Sequence, residues 1–237
     1  MKHFQVFIAV VLTLSLTACN INIGLKGNGN VVTEDRPVME NFNDIQASSG
    51  IEVYLTQGSE NRISVEADEN LLPYIVTEIK NGVLKISISE NIRNSKSMKV
   101  YVTFIDVKGI KATSGSEISS NSVIKSEQLT VISNSGAEID LEIFSKEVTA
   151  EASSGADIKI MGKASMLTAK ASSGSEINAK ELLTINCRAQ ASSGADISIN
   201  TRDNLDTNVS SGGSINYYGN PNSVKSNKSS SGSVNRK

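Results

Sequence analysis

Residues 151–160 read EASSGADIKI, and the same pattern returns as KASSGSEINA at 170–179, QASSGADISI at 190–199 and NVSSGGSINY at 208–217. Its glycine recurs every 18 to 21 residues, at Gly115, Gly136, Gly155, Gly174, Gly194, Gly212 and Gly232. A fixed period of this length is typical of one structural unit that is stacked repeatedly. The repeat therefore predicts a stacked architecture before any other feature is considered.

The repeats, aligned on the glycine, place apolar residues in columns at odd offsets. Three positions after the glycine stand Ile118, Ile139, Ile158, Ile177, Ile197 and Ile215. Odd offsets share one face of an extended chain, so these side chains are expected to point inward together. The pattern predicts an all-β fold, a parallel β-helix or β-solenoid whose coils stack about 4.8 Å apart. The crossover rule predicts a right-handed coil, and the glycine is expected to allow a corner with positive φ.

The N-terminal residues predict a secreted protein with a lipid anchor. Residues 1–18 combine Lys2 with a short apolar core and end in Leu16-Thr17-Ala18 before Cys19. This arrangement resembles a bacterial lipoprotein signal, which implies cleavage before Cys19 and acylation of that cysteine. Residues 19–36 are polar and glycine-rich, so they are expected to form a flexible spacer, with a first strand as the alternative for the last of them.

Residues 37–237 are expected to form a single solenoid domain. Residues 37–108 are less regular, and residues 109–237 contain the regular Ser-Gly repeats. Asn81-Gly82 lies between two alternating runs, which predicts a hairpin that is inserted into the solenoid or caps it.

Composition excludes several classes of function. Loss of residues 1–18 lowers the count of Lys and Arg from 23 to 22 against 25 Asp and Glu, a net charge of −3, so nucleic acid is not an expected partner. The same cleavage removes the only histidine, which excludes Ser-His-Asp catalysis and histidine-ligated metals. Cys187 is then the only cysteine besides Cys19 and is expected to be a small buried hydrophobe. The sequence predicts no cofactor and no dedicated metal site.

An acidic residue stands two positions after most of the glycines. The column contains Glu52, Glu117, Glu138, Asp157, Glu176 and Asp196. An even offset faces solvent, and like charges about 5 Å apart repel one another. The column is interpreted as a solvated stripe relieved by Lys159 and Lys170, as a stripe for a cation or a partner, or as a carboxylate pair of a retaining glycosidase. Against the last interpretation, a uniform column gives two acids no reason to differ in pKa.

Motifs outside the repeats carry a family resemblance. They are a Gly-Asn-Gly start at Gly27, Arg36-Pro37-Val38, Phe42-Asn43-Asp44-Ile45, Gln57-Gly58, residues 65–72 (VEADENLL), residues 81–86 (NGVLKI) and residues 211–221 (SGGSINYYGNP). Together they resemble the bacterial family described as "putative auto-transporter adhesin, head GIN domain", over about residues 27–222. The resemblance implies a right-handed β-helix in an envelope lipoprotein of the Bacteroidetes type, and it supplies no catalytic residues.

The sequence therefore predicts a non-enzymatic cell-envelope lipoprotein that presents a repeated polar face to a surface protein or a polysaccharide. A structural envelope protein and a carbohydrate-active β-helix enzyme are the alternatives. The expected location is the outer membrane, through lipid at Cys19. The absence of an acidic run after Cys19 favours the periplasmic side, but the sequence does not decide the side or the oligomeric state.

Overall fold

The computed structural model describes residues 24–229 and 231–237, so the signal segment and Cys19 lie outside the described residues. The first part of the chain contains ten elements: β1 (Leu25–Lys26), β2 (Val31–Arg36), β3 (Asp44–Ala47), β4 (Glu52–Gln57), β5 (Arg62–Asp68), a 3₁₀ helix (Glu69–Tyr74), β6 (Ile75–Lys80), β7 (Val83–Ile88), β8 (Ile92–Asn94) and β9 (Met98–Phe104). The second part contains β10 (Gly109–Thr113), β11 (Glu117–Ser120), β12 (Ile124–Asn134), β13 (Glu138–Ser153), β14 (Asp157–Ser172), β15 (Glu176–Ala191), β16 (Asp196–Val209), β17 (Ser214–Tyr218), β18 (Ser223–Lys228) and β19 (Ser233–Arg236).

The second part is a parallel β-solenoid, as the repeat predicts. Each Ser-Gly corner joins a stretch of strand before it, here called wall B, to a stretch after it, called wall A. On wall A the predicted isoleucine column is in register from Ile118 through Ile215. On wall B a second column runs through Leu129, Val148, Leu167, Cys187 and Leu205. Both columns are buried, so the core is a continuous stack of aliphatic side chains between the two walls.

Each corner places two consecutive residues in the left-handed region. Ser154 has φ of 56° and Gly155 has φ of 67°, and the same Ser-Gly pair recurs at seven corners within the described residues. The Gly155 N–H donates to the carbonyl of Ser173 in the next coil at 3.1 Å, and Gly136 donates likewise to Ser154 at 3.2 Å. The left-handed serine thus presents its carbonyl to the neighbouring coil, so the corners stack through backbone hydrogen bonds. The glycine was expected to adopt positive φ, whereas the serine before it was not.

The N-terminal part caps the solenoid through a topology that departs from chain order. β7 pairs in parallel with β3, and β9 pairs in parallel with β4, so residues 83–104 form a coil outside residues 44–57. β10 and β11 stack on the opposite side of β3 and β4. The outer edges are closed by antiparallel pairs, β6 with β7 on wall B and β5 with both β2 and β9 on wall A. The Asn81-Gly82 turn joins β6 to β7, which confirms the predicted hairpin.

The expected flexible spacer does not extend to residue 36, and the alternative, a first strand formed by its last residues, is what the structure contains. Residues 31–36 form β2, and Gly27 lies so close to Asp68 that a Cβ there would come within 1.6 Å of a carboxylate oxygen. The Asn28 N–H donates to Oδ1 of Asn70 at 2.8 Å, and Nδ2 of Asn70 donates to the Lys26 carbonyl at 2.9 Å. The Gly-Asn-Gly start and the Asp-Glu-Asn segment of the family resemblance therefore hold one another in place.

Candidate binding face

The acidic column forms an in-register row along the outside of wall A. Glu117 pairs with Glu52 on one side and with Glu138 on the other, and the row continues through Asp157, Glu176 and Asp196. We call these six residues the acid ladder. Glu52 is half-buried and the other five residues are exposed. The ladder arises because each acid directly precedes a buried residue of the inward column, which fixes its side chain on the outer face.

Only one end of the acid ladder has an ion pair among the described residues, and the nearby lysines otherwise pair with acids outside the ladder. Nζ of Lys99 lies 4.0 Å from a carboxylate oxygen of Glu52. The expected relief by Lys159 and Lys170 takes a different form. Lys159 pairs with Asp140 at 2.7 Å and Lys170 pairs with Glu151 at 2.8 Å, and neither acid belongs to the ladder. Among the described residues, no ion pair therefore forms in the ladder from Glu117 to Asp196, although Lys159 also interacts electrostatically with Glu138.

Glu117 shows the consequence of this crowding. Partial desolvation, followed by the charges of Glu138, Glu52 and Asp140, raises the pKa of the Glu117 carboxyl above its usual range. The sequence gives no reason for an acid of the column to have a raised pKa, whereas the structure supplies one at Glu117. That reason is the partial burial of the Glu117 carboxyl, to which the charges of Glu138, Glu52 and Asp140 add.

An aromatic pair lies beside Glu52, the first residue of the acid ladder. The rings of Tyr54 and Tyr101 stack with centroids 5.3 Å apart, and the Tyr54 hydroxyl donates to Oε2 of Glu52 at 3.0 Å. Nζ of Lys99 lies 5.6 Å from the Tyr54 ring centroid. The sequence reasoning missed this pair. The shared order Val-Tyr, apolar, Thr at residues 53–56 and 100–103 was the available signal, since the two segments stack in register.

The geometry of the ladder does not assemble a metal centre. Within residues 24–229 and 231–237, no three Asp, Glu, His or Cys side chains are arranged to hold a metal ion. A stacked row spaces its carboxylates along a line instead of converging them on one point. The arrangement therefore suits an extended cationic surface better than a single ion.

Wall B carries a second, polar surface. A shallow groove of about 560 Å³ crosses the Glu151–Lys170 pair, Gln190 and Asn208 beside the corners. The outward column here mixes charges and amides, in contrast with the single sign of the acid ladder. The thiol of Cys187 is buried on the inner side of this wall, and burial raises its pKa to about 12. The thiol therefore belongs to the core, as the sequence analysis expected.

Comparisons with known proteins agree with this architecture. The family model described as "Putative auto-transporter adhesin, head GIN domain" matches residues 41–221. A "putative adhesin" from Bacteroides fragilis is similar in structure, with a TM-score of 0.84 and 23% identity over 90% of this chain and 100% of that chain.

Two further structures have the same fold. A "putative adhesin" from Parabacteroides merdae (21% identity, 90% and 98% coverage) and a "putative lipid binding protein" from Parabacteroides distasonis (20%, 90% and 99%) both have TM-scores of 0.70. No curated protein matches the sequence significantly. The described residues include no helix long and apolar enough to cross a membrane.

Proposed function

Because the chain belongs to the family of auto-transporter adhesin head GIN domains, we propose that it is a non-enzymatic binding module of the cell envelope. The acid ladder is the proposed contact surface, and its partner is a positively charged surface of another protein or a polymer. This proposal goes beyond the family description, which names no ligand.

The observation that carries the proposal is the in-register repetition of one sign of charge. Five successive coils, from Glu117 to Asp196, each add one exposed carboxylate to the same row. Like charges that are stacked directly destabilise a sheet, so the row lowers the stability of wall A when no partner is bound. A partner with regularly spaced cations would relieve this repulsion and gain affinity from several weak contacts at once.

We also propose that the module is held at the membrane through lipid on Cys19. Anchoring by more than one acyl chain is stable, whereas a single chain binds only marginally. Replacing Cys19 with Ser in the full-length protein should prevent labelling by an acyl probe and release the protein from the membrane fraction. Unchanged membrane fractionation and absence of acyl labelling in the unmodified protein would argue against this anchor.

A second candidate function, glycoside hydrolysis, has one observation in its favour. A raised pKa beside other carboxyl groups is the pattern of a general acid, and Glu117 has it. Neither the wall B groove nor the groove described in the next subsection includes Glu117, so a sugar would be held there on an open face. Catalysis needs one asymmetric, preorganised site, which a row of similar acids does not supply.

The test is a binding screen with residues 20–237, which contain every described strand. Poly-lysine, host matrix proteins and purified envelope polysaccharides are the probes, run beside a glycan-degradation assay. We expect salt-sensitive binding of a cationic probe and no turnover. Glycan turnover that Glu117→Gln abolishes would replace the proposal with the enzyme. Failure of every cationic probe to bind at low salt would contradict it.

A further inference from the structure

A groove at the far end of wall A from the corners combines apolar walls with an unpaired cation. It encloses about 500 Å³ and contains Phe144, Lys163, Ala164, Leu183, Ile185 and Arg202. Phe144 is 60% exposed and Leu183 is 53% exposed, although both are large hydrophobic side chains. A concave apolar surface of this volume lies within the usual range of small-ligand sites.

The groove exists because neighbouring coils differ in length. Ala179 pairs with Ile199, but the next pair is Leu183 with Asn200, so β15 has three residues here that β16 lacks. The longer coil stands out beyond the shorter one and forms a step beneath Leu183. The difference is largest between β15 and β16: β14 and β15 differ by one residue between Lys159 and Gly162, and β13 and β14 pair without a register shift.

Several polar groups of the groove are already satisfied from within. The Thr184 hydroxyl donates to the Asn200 carbonyl at 2.7 Å, and the Thr201 hydroxyl donates to the Ile185 carbonyl at 3.1 Å. Nδ2 of Asn200 donates to the Lys180 carbonyl at 3.2 Å. β14 and β15 are each paired on both sides, so they offer no free edge for strand addition by a peptide. A ligand gains mainly by burying apolar surface.

The charge of the groove selects among apolar ligands. Its lining contains Lys163 and Arg202 and no acidic residue, although the whole chain is negative. Arg202 forms an ion pair with Asp203 at 2.9 Å, whereas the Lys163 ammonium has no ion pair or hydrogen bond within the described part of the chain. Lys163 is in register between Phe144 and Leu183, and the stem of a lysine can cover apolar surface while its ammonium stays in water.

The groove extends along the stacking direction of the coils. Its outward residues follow one another from Phe144 through Lys163 and Leu183 to Asn200, which spans three coil spacings, or about 14 Å. A linear chain fits such a channel along its whole length. From the length of the groove, its exposed apolar side chains and the unpaired ammonium, we propose that this groove binds a single acyl chain with an anionic head group, such as a long-chain carboxylate.

The test compares two soluble amphiphiles with the same chain and opposite heads. Decanoate and decyltrimethylammonium are titrated calorimetrically into residues 20–237, each below its micelle concentration. We expect decanoate to bind. Leu183→Ser and Phe144→Ser should each weaken it by about tenfold, since each removes a large part of the apolar contact. Lys163→Gln should weaken decanoate severalfold without weakening decyltrimethylammonium.

Ile105→Ser is the matched control, because Ile105 is also 53% exposed and lies outside the groove. It should leave decanoate binding unchanged, and thermal unfolding confirms that all variants fold. Absence of decanoate binding would overturn the proposal, as would equal affinity in the Leu183→Ser and Phe144→Ser variants. Binding to anionic phospholipid vesicles without binding of free decanoate would also overturn it, because the occupant would then be a membrane surface.

Discussion

At the scale of single residues, the corner shows how a repeat can carry conformational strain. The left-handed region costs an L-residue about 1–2 kcal/mol, and only glycine enters it freely. Ser154 adopts this region, and its carbonyl accepts a hydrogen bond from the neighbouring coil. The stacked hydrogen bonds compensate for the strain, which explains why the pattern needs both residues and not the glycine alone.

Replacing Ser154 with Asn should therefore raise thermal stability. Asparagine tolerates the left-handed conformation, and Asn-Gly is a preferred pair where both central residues of a turn have positive φ. We expect a gain of up to about 1 kcal/mol in the free energy of unfolding. Ser153→Asn is the matched control, because Ser153 is the last residue of β13 and does not have a positive φ. Equal effects of the two substitutions would mean that the corner is not strained.

Glu117 predicts a dependence of stability on pH. Since its pKa is raised in the folded state, folding favours the protonated form. This contribution is complete below the ordinary glutamate pKa of 4.5 and is lost as the pH rises through the raised value. Glu117→Gln should therefore unfold at a slightly higher temperature at pH 7 and flatten the melting profile between pH 4 and 7. The gain should stay under about 1 kcal/mol, because the side chain is exposed. A lower melting temperature at pH 7 would contradict the assigned repulsion.

At the scale of the strand, β14 separates an inward set of side chains from an outward set. Ile158 is 1% exposed and stacks between Ile139 and Ile177. Asp157 precedes it and is exposed on the acid ladder. Two adjacent residues of one strand therefore face opposite environments, and substitutions there should have opposite effects.

Ile158→Asp should abolish cooperative folding, because it buries an unpaired charge between two coils. Ile158→Ala, which only opens a cavity, should cost about 2–5 kcal/mol. Asp157→Asn should be nearly neutral or slightly stabilising, since it relieves repulsion from Glu138 and Glu176. Circular dichroism during thermal unfolding checks all three variants. A tolerated Ile158→Asp together with a disruptive Asp157→Asn would reverse the two faces.

The elements that repeat could be predicted from sequence, and those that do not repeat could not. The isoleucine column and the ladder follow from residue offsets alone, because a period of two fixes the face of each side chain. The coil of residues 83–104 stacks outside residues 44–57, an order that periodicity does not encode. Likewise, the groove beside Leu183 depends on a difference of three residues between β15 and β16, which is visible only after register is known.

At the scale of the whole molecule, the solenoid turns a short sequence motif into an extended surface. Each coil contacts mainly its neighbours, so stability is distributed along the stack. The same stacking repeats the outward residues at a regular spacing, and Glu117 to Asp196 become one row of charge. A row of this kind acts through the sum of weak contacts, so its function should resist loss of any one residue.

The most direct test of the account compares partner binding across graded variants of the ladder, using the cationic probe that binds best. Asp157→Asn alone should weaken binding less than about fivefold, since one exposed pair contributes at most about 1 kcal/mol. Neutralising Glu138, Asp157 and Glu176 together should weaken it by tenfold or more, on the order expected for lost multivalency. The control neutralises Glu40, Glu60 and Glu90, three exposed acids outside the ladder, with the same change in net charge. Equal losses in the two triple variants, or complete loss with Asp157→Asn alone, would contradict a binding function distributed along this face.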